Sequence, residues 1–270
     1  MTYKEKILFT FCAYLKDGYG CASFKELFSN YDPDYPFEYI KNNFIDQVSR
    51  VQHFLEELNK YQINYLCYWE DLYPSKMREL LNPPMILFYR GDIGLLNKEI
   101  ITVVGTRSCT KDSEVNTRNF VKVLAQQYVI ASGLALGVDC IANNTSSDLP
   151  AKSIVVVPGS LVNPHPPSNK IIYEKVLSSG GLAISEYPLT DAIEKGSFVI
   201  RNRILAGIAT SLLLIQSSKD GGSMITCKAA KELSLQMYSI PANISLKSFE
   251  GNNWLIKTEQ AKLVTEPEDI

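Results

Sequence analysis

Residues 130–140 read IASGLALGVDC, and this stretch decides the fold. The apolar run that ends at Ala131 is typical of a buried β-strand. The run is followed by a loop-like segment that contains Ser132, Gly133, Gly137 and Asp139, and then by a segment with the pattern of a helix. A strand, a glycine-containing loop and a helix in this order form the repeating unit of a parallel α/β sheet. Ligands of such sheets bind at the ends of the strands, so the stretch predicts an architecture and a place for a site.

The same unit repeats along the chain from residue 63 onward. The strand-like runs are INYLCYW (63–69), MILFYRG (85–91), EIITVVG (99–105), YVIASG (128–133), SIVVVPG (153–159), GLAISEY (181–187), SLLLIQS (211–217) and QMYSIPA (236–242). Most are hydrophobic on both sides, as strands covered by helices on both faces are. We therefore predict an α/β fold for residues 61–270, an extended Rossmann-like domain with a mainly parallel sheet.

The first 60 residues have a different pattern, without alternating strand-like runs. KEKILFTFCAYL and FIDQVSRVQHFLEELNKY carry apolar residues at helical spacing, among them Val48, Val51, Phe54 and Leu58. We predict a small all-helical domain over residues 1–60. The alternative is a helical extension that packs on the main domain.

Composition narrows the classes of function. The chain has 27 Lys+Arg against 29 Asp+Glu, so it is not basic overall. A nucleic acid would therefore have to bind at a local basic patch. The N-terminus does not resemble a signal peptide, and no apolar run reaches the roughly 18 residues of a membrane span, so we expect a soluble, cytoplasmic protein without membrane contact. Six cysteines without a CxxC pair and only two histidines predict no metal site.

The loops that follow the predicted strands share a character that favours anion binding. They are Gly105-Thr106-Arg107-Ser108, Ser132-Gly133 with Gly137, Pro158-Gly159-Ser160, Tyr187-Pro188 and the SSKDGGS segment at 217–223. Glycine lets backbone N–H groups approach an anion, hydroxyls add donors, and the next helix adds its positive end. Neither the dinucleotide motif GxGxxG nor the P-loop GxxxxGK[ST] is present. We therefore expect the amides of Ser132, Gly133 and Gly137 to face a phosphate.

A second feature is FVIRNRILAGIA, in which Arg201 and Arg203 flank Asn202 at the predicted start of a helix. Two guanidinium groups there oppose the helix dipole, so they require an anion or an acid of the protein. They either pair with Asp139 or Glu186 as structural supports, or line a groove together with Arg107 and Lys170. Phe198 is either a base-stacking platform or part of the core.

Several of these motifs together resemble one family. TVVGTR, SGLALGVD, HPPSN, SEYPL, RNRILAGIA, GGSMIT followed by IPA, and NNWLI occur in the order and spacing of the DNA processing protein A family (DprA, also called Smf). The resemblance covers about residues 62–270. It implies an extended Rossmann domain that binds single-stranded DNA without strong sequence preference, forms a homodimer, protects incoming DNA, and helps to load a RecA-type recombinase during natural transformation. It implies no enzyme activity and no cofactor.

The resemblance also implies which residues contact DNA. These residues are Arg107, Ser132, Gly133, Lys170, Arg201, Arg203, Gly222, Ser223 and Thr226. The neighbouring residues of the same segments complete the predicted DNA-binding set, namely Gly105, Thr106, Gly137, Asn169 and Asn202, supported by Asp139 and Phe198. In this interpretation Asp139 orients an arginine or caps the helix that starts near Val138. The chain departs from the family pattern at four flanking positions: Asn143 replaces a histidine, His165 a tyrosine, Val199 a proline and Gly221 a serine.

Two other functions use similar glycine-rich strand ends. Nucleoside monophosphate phosphoribohydrolases of the LOG type carry an acid after a PGGxGT motif, whereas here DGGSMIT is followed by no acid before Glu232. A sensor of small nucleotides is the other alternative, and it would bind mononucleotides in competition with an oligonucleotide.

Overall fold

The computed structural model describes residues 2–17, 36–150, 152–189, 193 and 195–270. Its strands are β1 (Asn64–Cys67), β2 (Ile86–Gly91), β3 (Ile100–Val104), β4 (Val129–Ser132), β5 (Ser153–Val156), β6 (Leu182–Ser185), β7 (Ser211–Leu214), β8 (Gln236–Ser239) and β9 (Lys262–Leu263). Its helices are α1 (Tyr3–Asp17), α2 (Pro36–Lys60), α3 (Ser75–Arg78), α4 (Lys111–Leu124), α5 (Val138–Ser146), α6 (Lys170–Ser178), α7 (Lys195–Gly207), α8 (Ser223–Glu232) and α9 (Glu250–Lys257).

The strands form one sheet in the order β1-β2-β6-β5-β4-β3-β7-β8-β9. The seven neighbouring strands from β6 to β9 in this order are parallel to one another. At the β1 edge of the sheet, β2 pairs antiparallel with both β6 and β1. Strands β3 to β7 are buried at every position, because helices cover both faces of the sheet. The predicted Rossmann-like α/β fold is confirmed.

The strand order fixes where a ligand can bind. From β3 the chain moves outward through β4, β5 and β6, and it then returns to place β7 on the other side of β3. Helices that follow these two neighbouring strands therefore leave in opposite directions, which opens a crevice beyond their carboxyl ends at Val104 and Leu214.

The N-terminal helices share a hydrophobic cluster with the sheet. Phe11 of α1 and Leu58 of α2 are buried in the same cluster as Phe88 of β2 and Val155 of β5. This packing is the one expected of a helical extension. A domain boundary near residue 60 stays a prediction, and residues 18–35 of the predicted helical domain lie outside the described residues.

Helix α7 differs from its predicted extent. The sequence indicates a start at Arg201, but the helix begins at Lys195. Gly196 and Ser197 are weak helix formers, so local propensity places the start of the helix too late. The consequence is that Arg201 and Arg203 lie inside the helix rather than at its positive end.

None of the described helices could cross a membrane. The longest of them, α2, spans 25 residues, but charged side chains such as Arg50 and Glu57 recur along it.

Candidate functional site

A cavity of about 330 Å³ lies in the crevice between the ends of β3 and β7. It is lined by three loops, by the end of β3 and by helices α5, α7 and α8. The lining residues are Val104, Gly105, Thr106, Arg107, Ala135, Asp139, Phe198, Val199, Arg201, Asn202, Leu205, Ser217, Ser218, Gly221, Gly222, Ser223, Ile225 and Thr226.

Arg107 stands at the mouth of this cavity. The loop after β3 is held by a hydrogen bond from the Thr106 backbone N–H to the Gln216 carbonyl, at 2.8 Å, which ties it to the loop after β7. The exposed Arg107 guanidinium lies over the ring of Phe198, 4.8 Å from its centroid. This arrangement presents a cation to solvent on an aromatic support.

Close backbone packing explains two of the predicted glycines. A Cβ on Gly105 would overlap the side chain of Val138, and one on Gly137 would overlap the Thr106 carbonyl oxygen. Gly137 also has φ +74°, a conformation that favours glycine. These glycines let the N-terminus of α5 press against the loop that carries Arg107.

Asp139 and Arg201 form a buried ion pair on the cavity floor. Arg201 Nη2 lies 4.0 Å from Asp139 Oδ2, and the side chains are only 5% and 8% exposed. Burial raises the pKa of the Asp139 carboxyl, with the Arg201 guanidinium opposing the shift, and burial lowers the pKa of Arg201. Arg201 also donates to the Val156 carbonyl and to Asn202 Oδ1. Of the two roles predicted for Asp139, the geometry fits the orientation of an arginine, because Gly137 is the N-cap residue and Asp139 lies within the first turn.

Ser132 and Gly133 lie behind this floor rather than on its surface. The fully buried Ser132 hydroxyl donates to the Val103 carbonyl at 2.7 Å, which joins β4 to β3. A Cβ on Gly133 would overlap both the Asp139 carboxylate and the Arg201 guanidinium. Neither residue lines the cavity. The structure therefore gives them a supporting place beneath the ion pair, in contrast to the expected position facing a phosphate.

The opposite wall is the N-terminus of α8. The first N–H groups of a helix carry partial positive charge. In α8 those of Met224 and Ile225 donate to the carbonyls of Gly221 and Gly222, at 3.0 and 3.2 Å. Ser223 donates its hydroxyl proton to Ser217 Oγ at 2.8 Å, and the buried Thr226 lies one turn later. Around Gly222 there is open space, since a Cβ there would meet no atom within 4 Å. This wall provides a helix end, hydroxyls and room for an anion.

Arg203 is directed away from the cavity. Its Nη2 lies 2.8 Å from Glu186 Oε1, its Nε donates to the Asn82 carbonyl at 2.7 Å, and its Nη1 donates to the Ile200 carbonyl at 2.8 Å. Glu186 is 2% exposed. The geometry therefore favours the structural alternative for Arg203, as a support that joins α7 to the end of β6.

Asn169 and Lys170 lie at the start of α6 and do not line the cavity. The buried Asn169 side chain donates to the Leu134 carbonyl at 2.9 Å and so holds the loop after β4. Lys170 is exposed at the first position of the helix. A contact between Lys170 and a ligand stays a prediction.

Asn252 of α9 is a supporting residue that the sequence reasoning missed. It is fully buried, accepts from the Ser217 backbone N–H at 2.7 Å, and donates to the carbonyls of Leu214, Ile215 and Ile240. It therefore fixes the loop that bears Ser217 and Ser218. Its position in NNWLI was visible only as part of a motif, because nothing in local sequence indicates which strand ends an amide joins.

The chemistry of the cavity is that of an anion binder. Asp139 is the single acid among the described residues that line it, and Arg201 pairs with this acid. Glu232, the acid nearest in sequence after Thr226, is not a lining residue. No group of three or more His, Cys, Asp or Glu suited to a metal ion occurs in the described parts of the chain.

Fold and site together define a Rossmann-like α/β protein with a polar, arginine-bearing cavity at the switch point of its sheet. The sequence model of one family, described as DNA recombination-mediator protein A, matches residues 64–270. The chain belongs to this family.

Named relatives agree with the assignment. DNA processing protein DprA of Streptococcus pneumoniae is 33% identical over 201 residues, which cover 74% of this chain and 71% of that protein. Protein Smf of Escherichia coli is also 33% identical over 201 residues, and the match covers 74% of this chain but 54% of the relative. The chain thus matches about half of the length of some relatives.

Two solved structures share the fold. DNA processing protein A of Helicobacter pylori, described for its single-stranded DNA binding mode, has a TM-score of 0.69 and 31% identity, covering 77% of this chain and 93% of that chain. The X-ray structure of DprA from Streptococcus pneumoniae has a TM-score of 0.78 and 28% identity, covering 98% of this chain and 91% of that chain.

Proposed function

We propose that this chain is a cytoplasmic, non-catalytic protein that binds single-stranded DNA through the cavity between β3 and β7. One observation carries the proposal: an exposed arginine, a buried arginine and a helix N-terminus border one cavity at the switch point of the sheet. The single-stranded DNA binding described for the Helicobacter pylori relative supports this class of ligand.

The proposed contacts divide into two groups. Direct phosphate contacts come from Arg107, Arg201, Asn202 and Lys170, and from the backbone or hydroxyls of Gly105, Thr106, Gly222, Ser223 and Thr226. Support comes from Ser132, Gly133, Gly137, Asp139, Asn169 and Arg203, with Phe198 beneath Arg107. A guanidinium suits the planar, bidentate recognition of phosphate, and the positive end of α8 favours an anion beside it. Since the whole chain has a net charge of −2, the attraction must be local to this cavity.

Fluorescence anisotropy with a labelled oligothymidylate tests the proposal. We expect log affinity to fall linearly with log salt, with a slope of roughly 0.7 per phosphate contacted. Arg107→Ala should weaken binding of all sequences about equally and reduce that slope, whereas Arg50→Ala, which removes the same charge from the exposed face of α2, should change neither. Affinity that is independent of salt and of Arg107 would exclude the cavity as the DNA site.

The absence of catalysis is part of the proposal. A phosphoribohydrolase needs an acid free to act on ribose, and the carboxylate of Asp139 is oriented toward Arg201 at the cavity floor. Incubation of the protein with nucleoside monophosphates should release no free base. Release that Asp139→Asn abolishes would replace the DNA-binding proposal by an enzymatic one.

We also propose a homodimer that acts with a RecA-type recombinase on incoming DNA in natural transformation. The description of the family as a recombination mediator supports a role in recombination. Two linked sites on one strand would raise avidity without any new contact in either site. Light scattering measures the dimer, and filament assembly by the recombinase on DNA covered by single-strand-binding protein, with and without this chain, measures the loading.

A further inference from the structure

The mouth of the cavity continues into a row of three side chains. The Arg107 guanidinium lies 4.8 Å from the centroid of the Phe198 ring. On the loop before α6, the ring of His165 packs edge-to-face with Phe198, at 5.8 Å between centroids and an interplanar angle of 70°. Arg107 and His165 are exposed and Phe198 is half-buried. The row therefore leads from the cavity onto the surface.

The size of the cavity requires such a continuation. A volume of about 330 Å³ is at the small end of ligand pockets, with room for one nucleotide-sized group rather than for a run of them. The next nucleotides of a bound strand must cross the rim. Phe198 is the one aromatic side chain among the described lining residues, and His165 is the ring next to it.

The loop that carries His165 is held in place. The Ser160 hydroxyl accepts from the backbone N–H groups of Val162 and Asn163, each at 3.1 Å, and the Tyr173 hydroxyl donates to the Leu161 carbonyl at 2.7 Å. Prolines on both sides of His165 further restrict the backbone. An exposed ring on a restricted loop loses little conformational entropy when a flat partner covers it.

We infer that His165 is a base-stacking residue for the nucleotide that follows the one in the cavity. The inference rests on the proposed function, because it extends the same DNA track. Single-strand binders combine cations that follow the phosphates with aromatic faces that accept any base, and the row has both. His165 thus supplies contact to the base and not to the phosphate.

An oligomer without bases separates these contacts. Binding of an eight-nucleotide oligothymidylate and of an eight-unit abasic phosphodiester is measured for wild type, His165→Ala, His165→Tyr and Arg107→Ala, after thermal melts show that each variant is folded. Stacking on an aromatic ring contributes enough that we expect His165→Ala to weaken oligothymidylate binding about fivefold or more and to leave abasic binding unchanged. His165→Tyr, which keeps an aromatic face, should bind like wild type. Arg107→Ala should weaken both ligands.

The same assay distinguishes direct stacking from support of Phe198. If His165 touches the base, His165→Ala should still weaken oligothymidylate binding in a Phe198→Ala background; no further loss there would show that it acts only through Phe198 and overturn the inference. Equal weakening of both ligands by His165→Ala would assign a structural role and also overturn it. If Arg107→Ala weakens binding and His165→Ala does not, the inference fails and the proposed function stands.

Discussion

At the scale of single residues, two glycines lead to opposite expectations: Gly133 lies behind the cavity floor, and Gly222 lines the cavity. A methyl on Gly133 would overlap the Asp139 carboxylate and the Arg201 guanidinium, which cannot withdraw because both are buried and Arg201 is bonded to Val156. We expect Gly133→Ala to lower the free energy of unfolding by about 1–3 kcal/mol and to weaken DNA binding.

The matched control is Gly222→Ala. Gly222 has helical φ and ψ of −59° and −28° and open space around it, so the free energy of unfolding should stay within about 0.5 kcal/mol or rise slightly. Urea unfolding of both variants measures the difference. Equal stabilities would mean that the ion pair can move without cost.

The buried carboxyl of Asp139 should also leave a mark on the pH dependence of stability. Its pKa in the folded protein is raised, mainly by burial. The stability contributed by the protonated form is therefore complete below the unfolded pKa of about 3.9 and is lost as pH rises through the folded pKa. The unfolding free energy of wild type minus that of Asp139→Asn should fall as pH rises above about 4. A difference that increases with pH would show that Arg201 outweighs burial.

The sequence indicated acidic partners for the two arginines of α7. It did not indicate whether each arginine supports the fold or contacts a ligand. Both acids named as possible partners are the observed ones: Asp139 lies near Arg201, and Glu186 binds Arg203. The choice between a support and a ligand depends on where each side chain points along a helix. That direction was hidden because the helix begins at Lys195, earlier than local propensity suggests.

At the scale of elements, Arg203 joins three parts of the molecule. It connects α7 to the Asn82 carbonyl before β2 and to Glu186 after β6. Removal of one partner leaves a buried carboxylate without its counter-charge, so Arg203→Ala should cost about 3–5 kcal/mol of unfolding free energy. The folded fraction should keep the salt slope of DNA binding, because Arg203 does not line the cavity.

The comparison that checks this prediction is Arg203→Lys. Lysine keeps the charge but lacks the planar fork that serves three acceptors, so we expect an intermediate loss of stability. Thermal melts and anisotropy at two salt concentrations supply both readouts. A smaller salt slope for Arg203→Ala than for wild type would show that Arg203 contacts DNA phosphate.

Elements were predictable where the pattern is local, and they were missed where it is not. All eight strand-like runs contain a strand of the sheet, because each run is short, rich in apolar residues and bounded by loop residues. The two-residue strand β9 has no such pattern, and both of its residues are exposed. The role of Asn252 depends on carbonyls that lie 12 to 38 residues away, a separation that no periodicity encodes.

At the scale of the whole molecule, the N-terminal helices are joined to the site-bearing sheet. The ring of Phe88 in β2 packs against Phe11, Tyr14 and Phe54, with centroids 6.3, 5.5 and 5.7 Å away. The Tyr14 hydroxyl donates to the Glu186 carbonyl at 3.1 Å, and the carboxylate of Glu186 binds Arg203 of α7. A continuous set of contacts thus leads from α1 to the helix that forms one wall of the cavity.

This continuity predicts one cooperative unfolding transition. The chain has two tryptophans: Trp69, which donates to the Thr10 hydroxyl of α1 at 2.8 Å, and Trp254 in α9. Trp254→Phe and Trp69→Phe variants therefore report unfolding at the two ends of the molecule, and their denaturation midpoints should agree with that from circular dichroism for the same variant.

Phe88→Ala, added to each, should lower the free energy of unfolding reported by both tryptophans by about 3–5 kcal/mol, whereas Leu81→Ala, at a side chain 92% exposed, should change it by less than about 0.5 kcal/mol. If Phe88→Ala shifts the Trp69 signal alone, the N-terminal helices and the adjacent β1–β2 edge of the sheet unfold separately from the part that carries α9, and the expectation of one transition is wrong.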